Sequence, residues 1–314
     1  MTKHLRFASL LLLLSTPAFA QFGDFNKATI KVHKVGGSVY MLELVDAAGG
    51  NIGVSVGEDG IVLVDDQWAP LAPKIREALK TLTDKPVKFV INTHHHADHT
   101  NGNIAFGTEA PVIAHDNVRK RLEAQGIDFN NPPTKAPKHA LPLITFDNKL
   151  SVHLNGEEIR AIHYPNGHTD GDSIIWFTRS KVVHMGDDAV MGAFPYIDLQ
   201  GGGSIKGITA ALDRAVKELP ADVKIIPGHG PLTDVEGLKQ YSATLKEITA
   251  VVEAAIKSGK TAEEAKKANL LTKWEKLSHG YVGNDMLIDM LYADLGRTVK
   301  APPGKAKAPG QQKK

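Results

Sequence analysis

The chain has 314 residues, with 37 Lys and Arg against 35 Asp and Glu, a formal charge of +2. That balance gives no global field for nucleic acid or a membrane surface. There is no cysteine, so disulfides, thiol nucleophiles and thiolate metal ligands are excluded, and the length allows one large domain or two small ones.

Lys3 and Arg6 precede the apolar run 7–14, and Ala18 and Ala20 close the segment at the spacing of a cleavage site. Residues 1–20 therefore read as a secretory signal peptide. The run is too short for a membrane anchor, which needs about 20 apolar residues. Losing Lys3 and Arg6 brings the formal charge to 0, and the expected product is an exported, periplasmic protein that is free of the membrane once the signal is removed.

Residues 28–35, 38–44, 52–56 and 61–64 are apolar or alternating and are punctuated by glycines, which predicts an antiparallel start. Asp65 ends the last of these strands and can cap the helix expected at 73–82. Residues 87–93 have the β-branched character of a buried strand, and Gly102 signals a turn. Strands are expected at 112–114, 150–154, 158–163, 173–177, 181–184 and 223–226, and helices at 116–125, 204–219, 235–258, 261–268 and 285–295. The segment 130–137, Asn-Asn-Pro-Pro-Thr-Lys-Ala-Pro, is a loop, and 299–314, with five lysines and no acid, is a disordered basic tail. One domain is expected over 21–298.

The chemistry concentrates at His94-His95-His96-Ala97-Asp98-His99, just after the strand 87–93. In extended backbone alternate side chains share a side, so His94 and His96 can converge on one ion while His95 points elsewhere. Asp98 and His99 follow one turn later and face a second point. Imidazole and carboxylate are ligands that zinc accepts. Three later candidates each follow an apolar run with glycine beside them: His168, Asp187 and His229. Each alone is an ordinary polar turn residue; their shared context and order make them a set. His115, His139, His153, His163, His184 and His279 show no paired spacing and read as surface or structural residues. His95 is the remaining histidine best placed to face a pocket rim.

From about residue 30 to 230 this order of motifs resembles the metallo-β-lactamase fold superfamily. The resemblance implies an α/β chain folded as an αββα four-layer sandwich, here with extra C-terminal helices that cover the pocket, form a dimer contact or simply pack. It implies that His94, His96 and His168 hold one metal and Asp98, His99 and His229 the other, with Asp187 bridging. The cofactors would be two Zn2+. A metal-bound hydroxide would attack the substrate, with Asp98 as the catalytic residue that orients it. Asp65 would support the ligands, or serve only as the cap noted above. The loop at 130–137 would border the site mouth.

The substrate is expected to be a small molecule. Cysteine-containing members place a thiolate where this chain has Asp187, and commonly a carboxylate-binding Lys where it has Val190; acyl-homoserine lactonases often carry Tyr at that last position, so Val190 fits neither. Tyr196 can substitute from the same loop, or act as a core or rim aromatic. Export favours β-lactams, and lactones or thioesters, in the manner of glyoxalase II, are the alternative. An iron-dependent redox member is disfavoured because His96 stands where flavodiiron proteins have an acid. A non-catalytic metal-binding protein would be expected to lose ligands, and all seven are here. The N-terminus of the 204–219 helix, after Gly201-Gly202-Gly203, can receive an anionic group or simply begin a helix. Expression in a Gram-negative host is expected to yield a periplasmic protein whose first residue is Gln21, which N-terminal sequencing or intact mass will check.

Overall fold

Alternation decides which layer each strand feeds. The computed structural model describes residues 22–127 and 134–299. The predicted signal peptide, part of the loop expected at 130–137, and the tail from residue 300 onward lie outside the described residues.

Four antiparallel strands come first, β1 (Thr29–Gly36), β2 (Val39–Val45), β3 (Ile52–Gly57) and β4 (Gly60–Val64). Helix α1 (Ala72–Lys80) carries the chain across to β5 (Val87–Ile91), which pairs parallel to β4. Two single-turn helices follow, α2 (Ala97–Thr100) and α3 (Asn103–Phe106). Next are β6 (Val112–His115), α4 (Asp116–Gln125) and β7 (Ile144–Phe146), which complete a seven-stranded sheet in sequence order.

The second sheet contains β8 (Lys149–Leu154), β9 (Glu157–His163), β10 (Ser173–Phe177) and β11 (Val182–His184). Helix α5 (Ile205–Glu218) then leads to β12 (Lys224–Ile226) and the two-residue β13 (Thr233–Asp234). Its strand order is β13-β12-β11-β10-β9-β8. The chain ends in α6 (Val235–Lys257), α7 (Ala262–Lys267) and α8 (Asn284–Val299).

Both faces of the central strands are covered, so they read as unbroken apolar runs. On β4, Val62 and Val64 face the other sheet while Ile61 and Leu63 face α1. On β12, Ile226 faces inward between the sheets and Ile225 outward. The inter-sheet layer includes Met41, Ile91, Ile113, Ile175, Phe177 and Val182. Each such side chain contributes about 1.5–3 kcal/mol on burial. Helix α5 buries Ile205, Ile208, Ala211, Leu212 and Ala215, one face at the 3.6-residue period. Leu245, Ile248 and Val252 of α6 and Leu287, Ile288, Leu291 and Leu295 of α8 extend that layer. The result is the expected αββα sandwich, with the C-terminal helices packed on its second helical layer.

Two local expectations need correction. The strand expected from residue 181 starts at Val182, because Lys181 takes a left-handed turn conformation, φ 53°. Strand β7 was not foreseen, since it is three residues long and two of them are exposed. Gly102 lies in the expected turn, between α2 and α3, but with φ −61°, a conformation open to any residue. Its missing side chain matters for another reason, as a Cβ there would lie 2.1 Å from the carbonyl oxygen of Asp66. Gly102→Ala is expected to cost about 3 kcal/mol by overpacking and to lower the melting temperature by roughly 6 °C. Gly283→Ala, whose added methyl meets nothing within 4 Å, is the control and should shift it by about 1 °C or less; both are read by thermal unfolding.

Candidate metal centre

Backbone conformation splits the His-rich motif into two directions. β5 ends at Ile91, the chain bends through Thr93, His94 and His95, and His96, with ψ 148°, leads into α2. This path sets the His94 and His96 rings 4.9 Å apart, and the helical turn swings Asp98 and His99 to a second position. His168 arrives from the loop after β9, its ring 4.8 Å from His94 and 4.7 Å from His96. Asp187 follows β11 and His229 follows β12. Gly228 is needed between them, because a Cβ at that position would sit 2.0 Å from Asp187 Oδ1. All seven sequence-selected residues are thus brought together at one end of the sandwich.

Their donor atoms fall into three overlapping groups: His94, His96 and His168; Asp98, His99 and His229; and His94, His99 and Asp187, which joins the other two. Asp187 reaches both: Oδ1 lies 3.2 Å from His99 Nε2, and Oδ2 lies 3.4 Å from His229 Nε2 and 3.6 Å from His168 Nε2. His229 Nε2 is 3.2 Å from Asp98 Oδ2.

The hydrogen-bond partners fix which nitrogen of each ring carries its proton. His99 Nδ1 donates to Asp65 Oδ2 at 2.8 Å. The Thr93 hydroxyl donates to the same oxygen at 2.8 Å, so it accepts from His94 Nδ1 at 3.0 Å. His168 Nδ1 donates to the carbonyl of Tyr196 at 2.8 Å, and His96 Nε2 donates to Asp198 Oδ2 at 3.0 Å. His94, His96 and His168 thereby turn an unprotonated nitrogen inward, and His99 is left with Nε2 as the nitrogen that faces the cluster. His96 Nδ1 and His168 Nε2 face each other at 2.8 Å, and two lone pairs at that distance repel unless a cation lies between them. His94 Nε2 and Asp187 Oδ1 are buried without a hydrogen-bond partner. This donor set fits metal ions.

The electrostatics agree. Burial holds His94 well below its ordinary pKa and lowers His168 to about 4, so both rings are neutral and ready to ligate. Burial also opposes charge on His99 and His229, but the carboxylates of Asp187 and Asp98 outweigh it, and His229 rises to about 10. A bound cation would displace those protons.

The cluster floors an open cavity of about 460 Å³, lined there by His96, Asp98, His168, Asp187 and His229. Val190 and Tyr196 border it, Tyr196 as a rim aromatic. His95 does not line it; it is buried, with Nε2 3.6 Å from Asp198 Oδ2. The α5 N-terminus is satisfied within the fold, by Ser204 Oγ accepting from Gly207 N and Asp294 accepting from Ile205 N, so no anion is needed there. His184 is structural as expected, fully buried with Nε2 donating to Asn51 O at 3.0 Å. Sequence reasoning missed Asp198, Asn51 and Tyr281. Asn51 Nδ2 clamps the His229 turn through Pro227 O and Gly230 O, at 3.0 and 2.9 Å. Asp198 left one trace, an acid in an otherwise apolar stretch, Phe194-Pro195-Tyr196-Ile197.

A His/Asp cradle at the end of an αββα sandwich defines a metal-dependent hydrolase. Residues 45–229 match the family model of the metallo-beta-lactamase superfamily, and the chain belongs to that superfamily. A metallo-beta-lactamase type 2 of Elizabethkingia meningoseptica is 23% identical over 246 residues, 74% of this chain and 91% of that protein. The 2,4-dinitroanisole O-demethylase subunit alpha of a Nocardioides species is 27% identical over 139 residues, 43% of this chain; the match spans only 40% of that subunit's length. Among solved structures, a metallo-beta-lactamase from Pontibacter korlensis superposes with a TM-score of 0.57 at 19% identity, covering 69% of this chain and 99% of its own. The DIM-1 metallo-beta-lactamase gives 0.55 at 17% identity, covering 70% and 98%.

Asp198→Ala frees His96 to rotate, whereas Asp65→Ala frees His99 and loosens His94, which it holds through Thr93. Each substitution is expected to weaken binding of added zinc by about 10–100-fold with the fold intact, Asp198→Ala in one donor group and Asp65→Ala in both, as measured by competition with a chromophoric chelator and by circular dichroism.

Proposed function

We propose that the protein is an exported binuclear zinc hydrolase that opens cyclic amides or esters, β-lactams among them. The observation that carries this reading is the pair of inward-facing donor groups, both within reach of Asp187, at the floor of an open cavity. His94, His96 and His168 would hold one ion, and Asp98, His99 and His229 the other. When bound, the ions supply a nucleophilic hydroxide at neutral pH and charge to stabilise the developing oxyanion. Asp98 does more than ligate: on the cavity floor it is the carboxylate placed to orient the attacking group and hold its proton. Asp65 and Asp198 keep the rings of His99 and His96 from rotating, so the cradle is preorganised. Zinc is favoured by the imidazole-rich donor set and by His96 in particular. Export is supported by the charge and apolar pattern of residues 1–20.

The β-lactam reading is supported by the relatives' names and by the signal-peptide pattern of residues 1–20. A second reading, lactone or thioester hydrolysis, is favoured by Val190, which lines the cavity and offers no charge to a drug carboxylate. Zinc-loaded mature protein should be assayed on nitrocefin, a carbapenem, an acyl-homoserine lactone and a thioester, with Asp98→Ala as control. Ring opening of the β-lactams, reduced by about 10³-fold or more in the variant, is the expected result. Turnover of ester or thioester alone moves the assignment to the second reading. Two bound zincs with no turnover of any of the four substrates would sink the proposal.

A further inference from the structure

The walls above the metal cradle are of one chemical kind. Phe22 and Trp68 lie together on one wall, ring centroids 4.7 Å apart. Tyr196 and Tyr281 meet edge to face at 6.1 Å, and Phe194 and Val282 join them in lining the cavity. The indole N–H of Trp68 donates to Ala48 O at 2.8 Å, so that ring offers the cavity chiefly its apolar surface. Among the described residues no Lys or Arg lines the cavity; its charged and titratable lining consists of the cradle's own His and Asp and the two tyrosines. Arg121, whose charge is felt at His95, is held by Asp170 in a two-point ion pair, both contacts 2.7 Å.

Tyr281 is 76% exposed, although its neighbour Val282 is 2% exposed and anchored in the α8 layer. Held at the cavity mouth by a buried neighbour and set against Tyr196, it adds apolar surface to the cavity wall. It also lies beyond the segment 45–229 that matches the superfamily.

We infer that this wall receives an uncharged, apolar substituent of the scissile carbonyl compound, an aryl or medium-chain acyl group, with Tyr281 a specificity residue. This deepens the hydrolase reading above and rests on it. Burying an apolar group against these rings is favourable in proportion to the area covered. A carboxylate in the same place would lose its hydration with no cation to receive it. Charge next to the reacting carbon can still reach the metal cradle, so the discriminating charge belongs at the far end of the substrate.

The test compares p-nitrophenyl hexanoate with mono-p-nitrophenyl adipate, equal in length and differing by a terminal carboxylate, on zinc-loaded mature protein. The neutral ester is expected to have a kcat/KM higher by about tenfold or more, chiefly through KM. Tyr281→Ser should raise KM for the neutral ester roughly threefold or more with kcat retained, and so narrow the gap. Equal or better turnover of the adipate ester, or an unchanged KM in Tyr281→Ser, overturns the inference. Binding is read separately by tryptophan quenching in Asp98→Ala, with N-(4-nitrophenyl)hexanamide and its ω-carboxylate counterpart. Preference for the neutral amide supports the inference even if neither ester is hydrolysed, a pattern in which only the hydrolase reading fails; equal binding of the two amides sinks the inference itself.

Discussion

One buried carboxylate, that of Asp65, is the constraint on which the rest of the site depends. It accepts from Thr93 N at 2.7 Å, from Thr93 Oγ1 at 2.8 Å and from His99 Nδ1 at 2.8 Å. Through the threonine hydroxyl it sets the tautomer of His94, and directly it sets that of His99, so one side chain orients a ligand in each donor group. Asp65 holds a left-handed backbone, φ 63°, an uncommon conformation for a non-glycine residue. The backbone around it is tied down: Asp65 N donates to Ile91 O and Asp66 N to His99 O. The ends of two neighbouring parallel strands and the His-rich turn are thus one hydrogen-bonded unit.

The other half of the cradle belongs to the second sheet, and the closure of the sandwich brings the halves together. His184 on β11 donates to Asn51 O, Asn51 N donates to Gly228 O, and the Asn51 amide holds the turn that carries His229. A single asparagine before β3 therefore registers the first sheet against the loops of the second. Donor atoms from both sheets must agree to within a few tenths of an ångström for metal chemistry, and buried hydrogen bonds of this kind, satisfied on both sides, supply that agreement.

The fold was largely legible in the chain because its signals are local. Alternating or unbroken apolar runs mark β1 to β4, and the capping box expected at Thr261 and Glu264 forms as read. The positions of His94, His96, His168, Asp187 and His229 were legible for a related reason, since each follows an apolar run that must be a strand and so lies at a strand end. What escaped was tertiary. Asp198 looks like any loop acid until the fold sets it 3.0 Å from His96 Nε2. Asn51 looks like a turn residue, and Tyr281 like an exposed aromatic near the end of the chain. Gly102 does fall in a turn, but its value there is the absence of a side chain beside Asp66 rather than backbone freedom, and only the fold shows that.

The separation of cradle from wall along the chain has an evolutionary consequence. The residues gathered around Asp65 cannot drift independently, because each hydrogen bond there fixes the orientation of a donor. Tyr281 stands on a short stretch joined to the helical layer by Val282 and makes no hydrogen bond to the cradle among the described residues. Substitutions in that stretch can change what enters the cavity while leaving the donor geometry alone. A lineage with this architecture can explore new substrates at its C-terminal edge without reopening the question of how to hold its ions.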